Sequence, residues 1–335
     1  MHPVDPVESA ANSLKYVLEA VPGESILIIA DHEKKDVADI YSRAAVSIGA
    51  WTRRIDLGKS NRFRSELPDF LVEAVVSCKP DIYLNLLRGP AEEVQFRIKL
   101  IRLESRRKVR LAHCPGVTTE MLSKGALALS KEDYLEMRSI AQRFLTVLQD
   151  VVEVRVSSPD GTDVSFSVRD REFFTDVMLD WRRLKWINLP VGEVMVAPVE
   201  NAMSGVIQAV AAGGVGVMKG GIRLQVERGR ITNIKYVDEE HGRVIEDVLK
   251  TDEQATIVGE FAVGLNKKAR IVREFLESEK VYGTIHIAFG NNIDFPGGRN
   301  SSKTHIDFLV AKPTVIVTYR DGSKAEVLSN GTLRL

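Results

Sequence analysis

Ser25-Ile-Leu-Ile-Ile-Ala30 is an unbroken apolar run of strand length. The Lys35 to Ile48 stretch that follows returns its apolar residues at helical spacing. The same alternation continues outward from this pair. Thr52 to Leu57 reads as a second strand, Leu67 to Cys78 as a second helix, Asp81 to Leu87 as a third strand and Ala91 to Leu103 as a third helix. Val109 to Ala112 gives a fourth short strand before Pro115-Gly116. Strands that alternate with helices pair in parallel, because each crossover helix packs back on the sheet. The amphipathic stretch Lys131 to Leu148 then closes the domain. Residues 1–150 are therefore expected to form an α/β, Rossmann-like domain with a parallel sheet. Its first strand runs into Asp31-His32-Glu33 and not into a glycine-rich turn, which argues against a dinucleotide pyrophosphate at that point.

Beyond residue 150 the pattern changes to hairpins. Val152 to Ser157 and Val164 to Val168 flank Pro159-Asp160-Gly161; Ile222 to Glu227 and Arg230 to Tyr236 flank Arg228-Gly229; Thr314 to Tyr319 and Lys324 to Leu328 flank Arg320-Asp321-Gly322-Ser323. Residues 151–335 are expected to form a β-rich α+β domain, with helices at Glu239 to Lys250 and Ala269 to Ser278. Gly213-Gly214-Val215-Gly216 and Gly220-Gly221 lack the strand-before, helix-after setting of a phosphate loop and read as turns and bulges.

The 335 residues suit two domains, each large enough to bury its own core. Lys plus Arg and Asp plus Glu both number 46, so no global field favours nucleic acid or an anionic membrane. The run Arg97, Lys99, Arg102, Arg106, Arg107, Lys108, Arg110 lacks interleaved aromatics and reads as a solvated helix end. Two cysteines, Cys78 and Cys114, are too few for a disulfide framework or a thiolate metal site, and suit a reducing cytoplasm. No apolar run approaches a bilayer span, and Met1-His-Pro-Val-Asp-Pro6 does not resemble a secretory leader. The expectation is a soluble cytoplasmic protein. His2, His32, His113 and His241 stand outside any ligand cluster.

Two other histidines do not. His286 lies in the β-branched segment Gly-Thr-Ile-His-Ile-Ala-Phe-Gly, and His305 and Asp307 lie two apart in Lys-Thr-His-Ile-Asp-Phe, a spacing that puts both on one face of a strand. Imidazole and carboxylate are the ligands that borderline divalent ions take where thiolate is absent. Glu193, in Leu-Pro-Val-Gly-Glu-Val, and Glu260, in Ile-Val-Gly-Glu-Phe-Ala-Val-Gly, are acids in apolar extended segments, where a buried carboxylate requires a cationic partner. In both, the preceding glycine leaves room for close approach of the backbone to something bound. Together these five residues exceed what one ion usually takes from side chains.

In this order, Leu-Pro-Val-Gly-Glu-Val with Ala-Pro, Gly-Glu-Phe-Ala-Val-Gly, Gly-Thr-Ile-His-Ile-Ala-Phe-Gly and Gly-Gly-x-Asn with His-x-Asp resemble the signatures of the thermophilic aminopeptidase T family across the whole second domain. The resemblance implies a homodimeric, metal-dependent aminopeptidase that acts on peptides with two divalent ions, zinc, cobalt or manganese. It implies Glu193, Glu260, His286, His305 and Asp307 as ligands, with Glu260 bridging and catalytic. The chain departs from the family pattern at Val281, where an acid is expected five residues before the first histidine, and at Ile293, where a tyrosine is expected seven residues after it. Glu279 is the nearest acid and is nominated as the proton shuttle; Phe289, Phe295 and Met195 are candidate walls for the substrate side chain. A second resemblance, through Tyr-Gly-x-x-His and His-x-Asp, is to the extradiol-type dihydroxypyridine dioxygenases. That one implies a single Fe(II) on His286, His305 and Asp307. A third reading is a catalytically degenerate metal-binding homologue.

Overall fold

The computed structural model describes residues 4–106, 109–181 and 186–335; His2 and the Arg107 and Lys108 of the basic run lie outside them. The chain divides into two compact units. The first comprises residues 1–138, 176–191 and 268–270, and the second residues 139–175, 192–267 and 271–335.

The first unit is built on the expected parallel sheet. Strands β1 (Ser25–Ala30), β2 (Trp51–Asp56), β3 (Ile82–Leu86) and β4 (Arg110–His113) lie in the order β2-β1-β3-β4, all parallel, and Ile187–Asn188 adds a fifth strand beside β4. β1 and β3 are buried at every position, as strands covered on both faces should be, whereas β2 at the edge leaves Trp51 and Arg53 exposed. Helix α1 (Pro6–Tyr16) was not anticipated, although Asp5 accepts the Val7 amide as its cap and Pro6 opens it. Helix α2 (Lys35–Ser47) buries Val37, Ala38, Tyr41, Ala44 and Ala45, the stripe that its spacing predicts. Helices α3 (Asp69–Ser77), α4 (Val94–Glu104) and α5 (Thr119–Lys124) follow, and α6 (Lys131–Val147) leads into the second unit.

Arg97 departs from the solvated reading of the basic run. It is buried on α4, where Nη1 donates to the Pro90 carbonyl at 2.9 Å. Burial disfavours its charge, so its pKa falls to about 10 despite the nearby Glu93 and Asp31 carboxylates. A tighter charge cluster lies beside it. Arg64 contacts Asp31 at 2.7 Å and Glu93 at 2.8 Å, and Arg88 contacts Glu93 at 2.5 Å while its backbone amide donates to Asp31.

The second unit is one large antiparallel sheet. Its strands are β5 (Val151–Ser157), β6 (Asp163–Ser167), β7 (Phe174–Thr175), β9 (Glu193–Val196), β10 (Met203–Ala212), β11 (Gly216–Glu227), β12 (Arg230–Tyr236), β13 (Val258–Gly264), β14 (Ile285–Gly290), β15 (His305–Val310), β16 (Thr314–Tyr319), β17 (Lys324–Ser329) and β18 (Thr332–Leu333), with β8 being Ile187–Asn188 of the first unit. The order is β18-β17-β16-β5-β6-β10-β15-β14-β13-β9-β7, and the β11-β12 hairpin branches from β10. All three predicted hairpins form. Gly213 and Gly214 turn β10 into β11, and Gly220 and Gly221, both at positive φ, sit opposite the irregularity at Ala209/Ala211.

One predicted helix is largely absent. Where Ala269 to Ser278 was expected, only α8 (Phe275–Ser278) forms, after α7 (Glu239–Leu249). Lys268 is tied to the Ala128 carbonyl and Asp133, Arg270 to Glu120, and the Ser278 hydroxyl bonds both backbone groups of Val272, so side-chain contacts take over where helix hydrogen bonds would run.

Candidate metal centre

Four adjacent strands of the second unit, β9, β13, β14 and β15, bring the sequence-nominated residues onto one face. Directly opposed residues of an antiparallel pair share a face, and so do residues two apart on one strand. Glu260 stands opposite Ala288, and Ala288 opposite Asp307; His286 stands opposite Ala262, His305 opposite Gly290 and Glu193 opposite Gly264. The register thus aligns all five, and each has an alanine or glycine as a cross-strand neighbour. Small neighbours leave the space above the sheet to the functional side chains.

Those side chains converge. His286 Nε2 lies 3.4 Å from Glu260 Oε1, 3.6 Å from Glu193 Oε2 and 3.8 Å from Asp307 Oδ1. His305 Nε2 lies 3.1 Å from Glu260 Oε2 and 3.3 Å from Asp307 Oδ1. The two oxygens of Glu260 therefore face different histidines. Two overlapping donor sets follow, Glu193–Glu260–His286 and Glu260–His305–Asp307, each with its ligand atoms within 4.8 Å of one another. Glu279, carried just past α8, joins a third set with His286 and Asp307. It comes into the cluster from two residues before Val281, through a turn and not a strand.

The inner set is buried, whereas the His305 and Asp307 side chains retain 30% and 16% exposure. His305 Nδ1 lies 2.8 Å from the Asn291 carbonyl; an oxygen of that kind only accepts, so Nδ1 carries a hydrogen and Nε2 is the nitrogen turned to the carboxylates. His286 Nδ1 has no hydrogen-bond partner among the described residues.

Burial opposes charge on every group here, yet the close pairs outweigh it for three of them. Burial would raise the Glu260 pKa, but hydrogen bonds from both imidazoles hold it far below the carboxylate range. Burial would lower His286, but Glu260, Glu193 and Asp307 hold it up at about 9; Asp307 and Glu260 raise His305 in the same way. Glu279 goes the other way, because burial and the charge of Asp307 raise it more than Lys280 and His286 lower it. The shifts of both imidazoles thus trace to the carboxylates that surround them. The donor chemistry, two imidazoles with four carboxylates and no thiolate, fits a borderline or hard divalent ion.

Lys280 also belongs to the cluster, and nothing in the sequence signals it. Its side chain is 1% exposed, and Nζ contacts Glu193 Oε1 and, at 2.9 Å, Glu279 Oε1. Two local expectations also change. A side chain at Gly259 would approach the Gly290 carbonyl to 2.8 Å, so that glycine admits the neighbouring strand and not a ligand. Phe289 is fully buried against Phe308 on the other face of β14 and cannot wall the site; Phe295 packs edge-on to His305 at 6.2 Å and to Phe174 at 5.3 Å.

Residues 131–333, more than half of the chain, match the thermophilic metalloprotease family (M29). The chain belongs to that family. The metalloprotease fold is also similar to that of wild-type AmpT from Thermus thermophilus, at 18% identity and a TM-score of 0.76, over 98% of this chain and 99% of the other. The 2,5-dihydroxypyridine dioxygenase from Pseudomonas putida KT2440 is similar at 17% identity and a TM-score of 0.68, over 99% and 98% of the two chains. At these identities the likeness is one of fold. No curated protein matches the metalloprotease. Among the described residues, no helix is long and apolar enough to cross a membrane.

Proposed function

We propose that this metalloprotease is an aminopeptidase that releases N-terminal residues from peptides with two divalent ions, zinc, cobalt or manganese. The observation that carries the reading is Glu260, whose two oxygens face separate donor sets, as a bridging carboxylate requires. Glu193 and His286 would complete one ion position and His305 and Asp307 the other. When bound, such ions lower the pKa of a coordinated water and polarise the scissile carbonyl. The protein's own groups do the rest. Glu279, buried with a raised pKa, is suited to take the water proton and deliver it to the leaving amine. Phe295 beside His305 offers an apolar wall for the first side chain. A cytoplasmic homodimer belongs to the same reading.

The mononuclear alternative, a ring-cleaving dioxygenase with Fe(II) on His286, His305 and Asp307, is favoured by Asp307, whose Oδ1 lies 3.8 Å from His286 Nε2 and 3.3 Å from His305 Nε2, although no donor set among the described residues holds both histidines. Glu193 and Glu260 have no role in it. Purified protein reconstituted with zinc or cobalt is expected to hydrolyse leucyl-anilide and to contain two ions per chain. One iron per chain with substrate-dependent oxygen uptake would reverse the assignment; bound metal with neither activity would leave the degenerate homologue.

A further inference from the structure

The two ion positions are not equivalent, and Lys280 is the reason. Its ammonium, buried within the second unit, lies against Oε1 of Glu193, a carboxylate of the inner donor set, and against Glu279. The outer set, Glu260–His305–Asp307, has no lysine contact among the described residues and keeps the more exposed side chains. Lys280 is also fixed in place. The Asn266 amide donates to its carbonyl at 2.8 Å, its own amide donates to the Glu277 carbonyl at 3.1 Å, and the next residue, Val281, forms a parallel bridge with Asn266 at the end of β13. A side chain at Gly264 would meet the Val281 carbonyl at 2.1 Å, so this segment presses directly on the strand that carries Glu260. The ammonium therefore cannot leave through a backbone shift; only its side chain can swing.

We propose that Lys280 makes loading of the centre sequential, the outer position filling first and the inner position second, against the ammonium that shares the Glu193 carboxylate. The inference rests on the two-ion reading. A divalent ion entering the inner set would take Glu193 Oε2, the oxygen 3.6 Å from His286 Nε2, and meets a like charge held on Oε1 of the same carboxylate; in a buried place that repulsion is weakly screened. The outer set has no such competitor and is open to solvent. Lys280 is thus a positioning residue that acts on the metal occupancy of the site, and through it the protein responds to free metal concentration in two stages.

Equilibrium dialysis of the full-length, chelator-stripped protein against a series of free zinc concentrations, read by elemental analysis, tests this. Wild-type protein is expected to take one ion per chain, then a second at a free zinc concentration about tenfold higher or more, a gap of about 1.4 kcal/mol. Lys280→Met should draw the second midpoint down towards the first, and Lys280→Arg should keep them apart. Glu193→Gln, which does not depend on the Met variant folding, should lose the second stage and keep the first. A single two-ion stage in the wild type, an unchanged gap in Lys280→Met, or loss of the first stage in Glu193→Gln would overturn the inference while leaving two ions in place. One ion at saturation in the wild type and in Lys280→Met would instead overturn the two-ion reading itself.

Discussion

The buried charges of the two units are arranged on opposite plans. In the first unit, Asp31 and Glu93 meet Arg64 and Arg88: two carboxylates face two guanidiniums at 2.5–2.8 Å, and Arg88 also donates to the Ser60 carbonyl at 2.7 Å. Burial would raise Glu93, but its hydrogen bonds from Arg64 and Arg88 bring it down to about 2. In the second unit, Glu193, Glu260, Glu279 and Asp307 converge with one lysine among the described residues, and both imidazoles are drawn into protonation to make up the charge. The contrast teaches how to separate a structural ion network from a candidate metal centre. The first is closed, because each acid already has a permanent cation in fork geometry. The second has borrowed protons where the first has arginines, and a divalent ion can displace them.

The largest effect should come from breaking the open cluster at its shared member. Glu260→Ala removes a carboxylate common to both donor sets, and is expected to lower leucyl-anilide hydrolysis by about a thousandfold or more while reducing bound zinc. Retained activity with full zinc content would show that Glu260 does not bridge. The matching change in the closed cluster, Arg64→Met, should act on folding instead. It leaves Asp31 buried without its guanidinium and Glu93 with Arg88 alone, and a loss of about 3–5 kcal/mol in denaturant unfolding is expected, with the zinc content per folded chain unchanged from the wild type. A change in metal content without loss of stability would erase the distinction drawn between the units.

The smallest effect is a pH dependence confined to the metal-free protein. The His286 pKa, held at about 9, exceeds the ordinary histidine value, so its contribution to stability is fully present below about pH 6.5 and is lost as the pH rises towards 9. With chelator, the unfolding midpoint should therefore fall over that interval. Saturation with zinc, which takes the imidazoles unprotonated, should remove the His286 share of the decline. Glu104 of α4 provides an internal control: burial raises its pKa to about 8 in spite of the hydrogen bond from Asn85, so its own contribution falls with pH from about 4.5 upwards whether or not metal is present. Glu104→Gln should remove that metal-independent part alone.

Much of this arrangement was legible in the sequence, for reasons that particular residues make plain. Ser25–Ala30 and its helical successor announced a parallel sheet because strands covered on both faces are apolar throughout. The shared face of His305 and Asp307 was foreshadowed by period-two spacing, which survives any choice of sheet partner. What depends on partners was not legible. The pairing of Glu260 with Ala288 and of Ala288 with Asp307 is a register, and register is set by the assembled sheet. Lys280 carried no mark of burial, since a lysine beside a glutamate usually lies on a surface. Arg97 was taken for solvent-facing for the same reason, and Ala269 to Ser278 had helical composition but is held by side-chain contacts that span long stretches of chain.

The Asn291 carbonyl bonded to His305 has a consequence for how that ring presents itself. By keeping the hydrogen on Nδ1, it commits Nε2 to the side of Glu260 and Asp307, so the ring faces its donor set without a flip. His286 has no such anchor among the described residues. Its Nε2 faces three acids, Glu193, Glu260 and Asp307, so the inner histidine is held from the front where the outer one is held from behind.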